Sequence, residues 1–174
     1  MKNILYMLLV SFLLTSCNND VANEAKVDSS EWSGITNEND EKSKIVEKLA
    51  KGYTEGNFEI ARDYFTPDGT HKVNNDVYTV DEIINGYNFH SLLYDEMQHI
   101  DPVLTTVKYN NGEVYTNHWS DWSGKSKITG EVQKNTFHCW WQWDGDNIVA
   151  TQCYFDTSDI MAETKLYQEQ NSQQ

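Results

Sequence analysis

Apolar positions divide the chain into a first half with helical spacing and a second half that alternates. Ile45, Leu49 and Tyr53 recur at four-residue intervals with Val46 and Ala50 beside them, and lysines and acids fill the gaps. That stripe predicts an amphipathic helix from Glu41 to Glu55, stopped by Gly56-Asn57. Phe58, Ala61, Tyr64 and Phe65 make one face of a second, shorter helix, which Pro67-Asp68-Gly69 ends as a turn. Thr70 to Tyr78 reads as a short extended stretch. Thr79-Val80-Asp81-Glu82 is a capping box, in which the Thr and Glu side chains satisfy free backbone donors at a helix start. The helix it opens is expected to run to about Asp95, with Ile83, Ile84, Tyr87, Ser91 and Tyr94 inward and Gly86 a mild weakness.

From Gln98 the period falls to two. Strands are expected over His99 to Tyr109, Val114 to Trp122, Lys134 to Trp143 and Ile148 to Asp156. Asn110-Asn111-Gly112 and Asp144-Gly145-Asp146-Asn147 supply hairpin turns, because Asn, Asp and Gly tolerate positive φ. Ser123 to Gly130 forms a longer polar tip. A short helix is expected from Thr157, with residues 161–174 trailing into a mobile, Gln-rich tail. Helices segregated from a four-strand meander define an α+β fold, with the helices on one sheet face and the other left to solvent or a partner.

The N-terminus carries a different pattern. Met1-Lys2-Asn3 is a short positive start, and Ile4 to Leu14 is apolar except for Ser11. Leu14-Thr15-Ser16-Cys17 then brings small residues to a cysteine. This is the layout of a secretory signal, too short to span a bilayer that needs ~20 helical residues. Leu-Thr-Ser-Cys resembles the bacterial lipobox, which implies cleavage after residue 16 and acylation of Cys17. The chain is then expected to be a lipoprotein tethered on the extracytoplasmic side of the bacterial cell envelope, its acyl chains supplying the membrane anchor. Residues 17–40 are rich in Asn, Asp, Glu and Ser and read as a flexible tether; Trp32 is their one large apolar residue, either docked or mobile. Roughly 160 residues remain, enough for a single core over residues 41–160.

Charge excludes some functions. The net charge is −14 and there is no basic cluster, which disfavours nucleic acid and anionic substrates. With 13% aromatic residues and six Trp, the chain is nevertheless built to fold. Cys139 and Cys153 fall on neighbouring expected strands; in an oxidising compartment they form a disulfide or remain as two buried thiols. The histidines at 71, 90, 99, 118 and 138 include no short-spaced ligand pair, so no metal is expected. No glycine-rich phosphate loop or nucleophile elbow is present, and no cofactor is implied.

Three phrases carry a family resemblance: Gly52-Tyr53-Thr54-Glu55-Gly56-Asn57-Phe58-Glu59, Tyr64-Phe65-Thr66-Pro67-Asp68-Gly69, and Trp141-Gln142-Trp143 leading to Ile148-Val149 and Tyr154-Phe155-Asp156. In order and spacing they resemble the nuclear transport factor 2-like superfamily, and within it the SnoaL-like branch. The resemblance implies a cone: a curved antiparallel sheet with about three N-terminal helices packed on its concave face and a pocket at the open end. The superfamily holds isomerases, cyclases, dehydratases and non-catalytic binders, so the fold does not name a function. The positions that would carry the isomerase tyrosine and aspartate hold Leu49 and Val73, and the cyclase acid position holds Cys153.

Acid–base candidates are therefore His71, His138 and Asp156, since a histidine titrates near neutrality and a carboxylate could orient it. Each has a plainer role, as a sheet residue for the histidines or a helix N-terminal residue for Asp156. Tyr53, Tyr64, Tyr87, Trp119, Trp140 and Trp141 are candidates for lining a pocket that takes a small, largely apolar molecule, or for packing the core. Alternation places His138, Trp140 and Gln142 on one face and Cys139, Trp141 and Trp143 on the other. Both faces carry aromatics, which leaves the pocket face open. The outer face, expected to hold His118, Trp122 and one tryptophan row, could pair two copies as a homodimer. Three readings follow: an anchored binding domain, an acid–base enzyme, or a dimeric interaction module.

Overall fold

The computed structural model describes residues 29–172; the signal segment, Cys17 and the tether up to residue 28 lie outside the described residues. The elements are β1 (Gly34–Asn37), α1 (Glu41–Thr54), a 3-10 helix (Phe58–Asp63), β2 (Phe65–Val73), β3 (Asp76–Tyr78), α2 (Val80–Leu93), β4 (Tyr94–Tyr109), β5 (Val114–Ser126), β6 (Val132–Asp144), β7 (Asn147–Tyr154) and α3 (Ser158–Asn171). The strands form one sheet in the order β1-β4-β5-β6-β7-β2-β3. The α+β architecture is as expected, with one difference: the sheet is mixed, because β2 runs parallel to β7.

Local chemistry explains the helix starts. Asp40 caps α1, its carboxylate accepting from the Lys42 and Ser43 amides at 2.8 and 3.1 Å. The Thr79–Glu82 capping box opens α2. Gly52 is needed where the 3-10 helix packs on α1, since a Cβ there would lie 2.9 Å from the Asn57 carbonyl oxygen and collide with Ile60 Cδ1.

Three boundaries differ from the sequence pattern. Pro67-Asp68-Gly69 lies inside β2, in the stretch where the pairing with β7 shifts register between Phe65 and Thr70. A turn-like sequence is thus absorbed as an irregularity of a strand. β4 starts at Tyr94, directly after α2, and pairs Tyr94 with Ser126 and Asp95 with Lys125. Irregularities between Asp95 and Gln98 and between Ile100 and Val103 interrupt its alternation, and positive φ at Glu96 and Asp101 marks them. Finally, residues 34–37 of the expected tether add an edge strand to β4, with Trp32 edge-on to Tyr109 at 5.4 Å.

The C-terminal segment is helical through Asn171, where a tail was expected from residue 161. Its one buried residue is Glu163, whose carboxylate accepts from the Ser126 hydroxyl and the Gln133 amide. Tyr94 Oη donates to Gln133 Oε1 at 2.6 Å, so α3 is pinned to the β5–β6 hairpin through buried polar contacts.

The main core joins Val46 and Leu49 of α1, Phe58 and Ala61, Phe65, Ile83 and Ile84 of α2, and Trp141, Trp143 and Ile148 of the sheet. A chain of hydroxyls runs beside it. Ser43 Oγ lies 2.9 Å from Thr106 Oγ1, which lies 2.8 Å from Thr116 Oγ1, and Trp143 Nε1 donates to Thr116 at 2.9 Å. Ser43, Thr106 and Thr116 are all buried, so each group depends on its neighbour for satisfaction. Thr116→Val keeps the shape but strands the Trp143 N–H and leaves the Thr106 hydroxyl with Ser43 as its remaining hydroxyl neighbour. Urea unfolding is expected to show a loss of ~1–3 kcal/mol; an unchanged midpoint would mean the chain of hydroxyls contributes nothing.

Candidate ligand pocket

The curved sheet, α1 and α2 enclose a cavity. α1 contributes Ala50 and Tyr53, the 3-10 helix Phe58, and α2 Tyr87 and His90. The inner sheet face contributes His99 of β4, His118 and Trp122 of β5, Phe137, Cys139 and Trp141 of β6, and Cys153 of β7. Asn135, Phe155 and Ile160 complete the lining. About 80 Å³ is available to the centres of water-sized molecules. At ~10–15 Å³ per water by this measure, that is room for a compact ligand.

Pairing register resolves the face that alternation left open. His118 faces Cys139 across β5–β6, and Cys139 faces Cys153 across β6–β7, so these three share the inner surface. Cys139 and Cys153 are joined by a disulfide, their Cα atoms 4.1 Å apart, in the cavity wall. Val103, Trp119, His138 and Tyr154 form the corresponding row on the outer surface.

Within the cavity, Tyr53 Oη lies 3.0 Å from His90 Nδ1, and its ring stacks on His99 at 5.6 Å. His99 meets His118 edge-on at 5.1 Å, and His118 meets Phe137 at 4.9 Å. No Lys, Arg, Asp or Glu is among the lining residues. Burial holds His90 and His99 down to about 4. Burial, with the neighbouring His99 and His138, takes His118 to about 3. Burial, with Tyr87 and Tyr94 adding to it, pushes the Tyr53 phenol far above its usual range, against a smaller opposing effect of the Trp122 indole. The Tyr87 phenol is raised the same way. Near neutral pH the cavity is therefore uncharged throughout.

Tyr53, Tyr87 and Trp141 line the cavity. The other three aromatic candidates do not. Tyr64 sits under Lys48, whose Nζ lies 5.4 Å from its ring, while Trp119 and Trp140 stand on the outer sheet face. His118 and Trp122, expected on that outer face, turn inward and are 2% and 6% exposed. The acid–base candidates are not brought together. His71 is buried outside the cavity lining, with Nδ1 2.9 Å from Thr151 Oγ1 and its ring against Phe65. His138 stacks on Trp119 at 4.8 Å on the outer face. Asp156 is exposed, accepts from the Ser158 amide at 2.9 Å and is held below the usual carboxylate range by Ser158. Leu49 lies in the core.

Sequence reasoning missed His90, His99, His118, Trp122 and Phe137. His90 falls seven residues after Ile83 and three after Tyr87, so helical spacing alone places it inward. The β4 irregularities hid His99. Among the described residues no group of three or more His, Cys, Asp or Glu could hold a metal ion, and no helix is long and apolar enough to cross a membrane.

The architecture is that of the ketosteroid isomerase-like, or nuclear transport factor 2-like, cone. A provisionally assigned polyketide cyclase from Xanthomonas campestris superposes with a TM-score of 0.56 at 13% identity, covering 70% of this chain and 94% of its own. IdmH of Streptomyces antibioticus, with the same provisional assignment, gives 0.53 at 16% identity, covering 72% and 99%. A protein from Catenulispora acidiphila with the ketosteroid isomerase-like fold, solved with trimethylamine, gives 0.52 at 16%, covering 68% and 90%. At these identities the likeness is one of fold. No family model and no curated protein matches the sequence.

Acid sensitivity follows from the buried histidines. His71, His90 and His118 are less basic folded than unfolded, where their pKa is 6.5, because burial penalises the cation. The unfolded chain therefore binds more protons below that value. Their contribution is fully present above about pH 6.5 and is lost as pH falls toward about 4. Urea midpoints are expected to drop between about pH 6.5 and about pH 5, with each histidine accounting for roughly 1 kcal/mol per pH unit. A flat profile across that window would contradict the neutral, buried state of these rings.

Proposed function

We propose that this domain binds a small, largely apolar, uncharged molecule in the cavity. One observation carries the reading: the lining is aromatic and aliphatic, with its few polar groups all uncharged near neutral pH. Such a wall favours apolar ligands through burial and rejects ions through desolvation. An acid–base enzyme is less well supported. The cavity holds no carboxylate, its buried histidines are weak bases, and its phenols are very weak acids, whereas proton transfer is best served by groups titrating near the working pH. The lipobox-like Leu14-Thr15-Ser16-Cys17 supports a domain held at the outer side of a bacterial membrane by an acylated Cys17.

Stabilisation by indane, an apolar bicyclic hydrocarbon, tests the reading. The melting temperature of the purified protein is expected to rise with indane concentration. Ala50→Leu, which fills the cavity from α1, should remove that rise, whereas Trp119→Ala on the outer face should leave it intact. An equal response in both variants would place the binding elsewhere.

A homodimer is a second reading, and it rests on the outer face. Val103, Trp119 and Tyr154 are each between 42% and 51% exposed in one cross-strand row, with the Trp119 ring stacked on His138. An uncovered aromatic row of this kind suits the core of an interface between two copies. Sedimentation is expected to show a dimer that Trp119→Asp dissociates by roughly tenfold or more in Kd, since a charge would be buried without a partner. A wild-type monomer at high concentration would refute the dimer while leaving the cavity reading untouched.

A further inference from the structure

The cavity wall contains more hydrogen-bonding capacity than the protein uses. Trp122 Nε1, Trp141 Nε1 and His118 Nε2 are shielded from solvent and have no hydrogen-bond partner among the described residues, and all three residues line the cavity. Each residue is at least nine-tenths buried. Trp122 Nε1 lies near the Tyr53 hydroxyl without forming a regular bond to it, and that hydroxyl is already engaged with His90. Buried polar groups are ordinarily paired, and leaving one unpaired costs on the same scale as the bond it lacks. An indole nitrogen can only donate. Two such donors in one small apolar cavity call for acceptors from a ligand.

Their placement says something of shape. Trp141 pairs with Thr116 and Trp122 with Asn135, so the two residues lie toward opposite ends of the β5–β6 ladder, with His118 opposite Cys139 between them. The two tryptophans therefore stand at separate places along the inner face, with His118 between them. The limited volume disfavours a molecule of three or more fused rings.

Resting on the binding reading above, we propose that the ligand is a compact, neutral ring compound bearing a carbonyl-type oxygen, accepted by the indole N–H of Trp122 or Trp141. A plain hydrocarbon leaves both donors unpaired. A carboxylate would find acceptor-hungry donors but no cation to offset its desolvation, and an ammonium would find no anion.

A matched series separates these cases: indane, 1-indanone, indane-1-carboxylate and 1-aminoindane, titrated calorimetrically against the purified protein at neutral pH. 1-Indanone is expected to bind ~3- to 10-fold more tightly than indane, the worth of one well-placed hydrogen bond. Both charged members should bind weaker than 1-indanone by roughly tenfold or more. Trp122→Phe and Trp141→Phe keep an aromatic ring and remove the donor. In at least one of them the ratio of 1-indanone to indane affinity should fall toward one, and taking a ratio cancels packing changes common to both compounds. Equal affinities of indane and 1-indanone for the wild-type protein overturn this inference and leave the apolar pocket standing. Tightest binding by the carboxylate or the amine overturns it as well. If no member binds, indane included, the pocket reading fails and this inference with it.

Discussion

Bending a long antiparallel ladder over two helices requires local departures from strand geometry, and in this protein they are concentrated in β4. Glu96 and Asp101 both adopt positive φ, a region in which a side chain is unfavourable, beside the two breaks in the β4–β5 register. Those irregularities let one sixteen-residue strand follow the curve of the sheet, and they accompany the inward turn of His99 toward Tyr53 and His118. A regular, flatter β4 would bring the inner face against α1 and α2 along its length and leave a packed core where the cavity now stands. The cavity is thus tied to a strained strand, and the strain is offset by the surrounding hydroxyl chain, core and disulfide.

Electrostatics divide the molecule sharply. The chain carries a net charge of −14, yet the cavity has no charged lining residue and its histidines are held neutral by burial. A long-range acidic field lowers the local concentration of anions, and an uncharged interior removes any reward for a charged ligand that arrives. The field disfavours anions, and the uncharged interior disfavours ions of either sign. The same burial that makes the histidines poor bases also leaves nitrogen atoms without partners, so selectivity and weak acid–base capacity have one cause.

The two sheet faces have separate roles. Inward, Cys139–Cys153 ties β6 to β7 beside the cavity, and α3 adds Ile160 to the lining while Glu163 holds it to the β5–β6 hairpin. Outward, the Val103–Trp119–His138–Tyr154 row is left uncovered by the described helices. A ligand and a second copy would therefore engage opposite surfaces of the same strands.

Much of the architecture was legible in the sequence because it depends on local periodicity. Four-residue spacing marked α1, the Thr79–Glu82 box marked α2, and alternation with Asn-Gly and Asp-Gly turns marked the meander. β1 was harder to foresee, since it is four residues long and exists by pairing with the distant β4, whereas the extended stretch from Thr70 to Tyr78 folds back on itself as the β2–β3 hairpin. The site depended on tertiary structure still more. Alternation says that Trp140 and Trp141 face opposite ways, but which way is inward is decided by the helices that cover one face. Irregularities in β4, invisible to a period-two count, moved His99 into the cavity, and register across β5–β6 set His118 and Trp122 inward with it. His71, His138 and Asp156 had suitable chemistry in the sequence, yet folding sent one to the core, one to the outer face and one to solvent. Residue type and spacing determined which elements form; the convergence of side chains from eight of them on one cavity required the fold, because distance in space between such residues is set by packing and pairing rather than by separation along the chain.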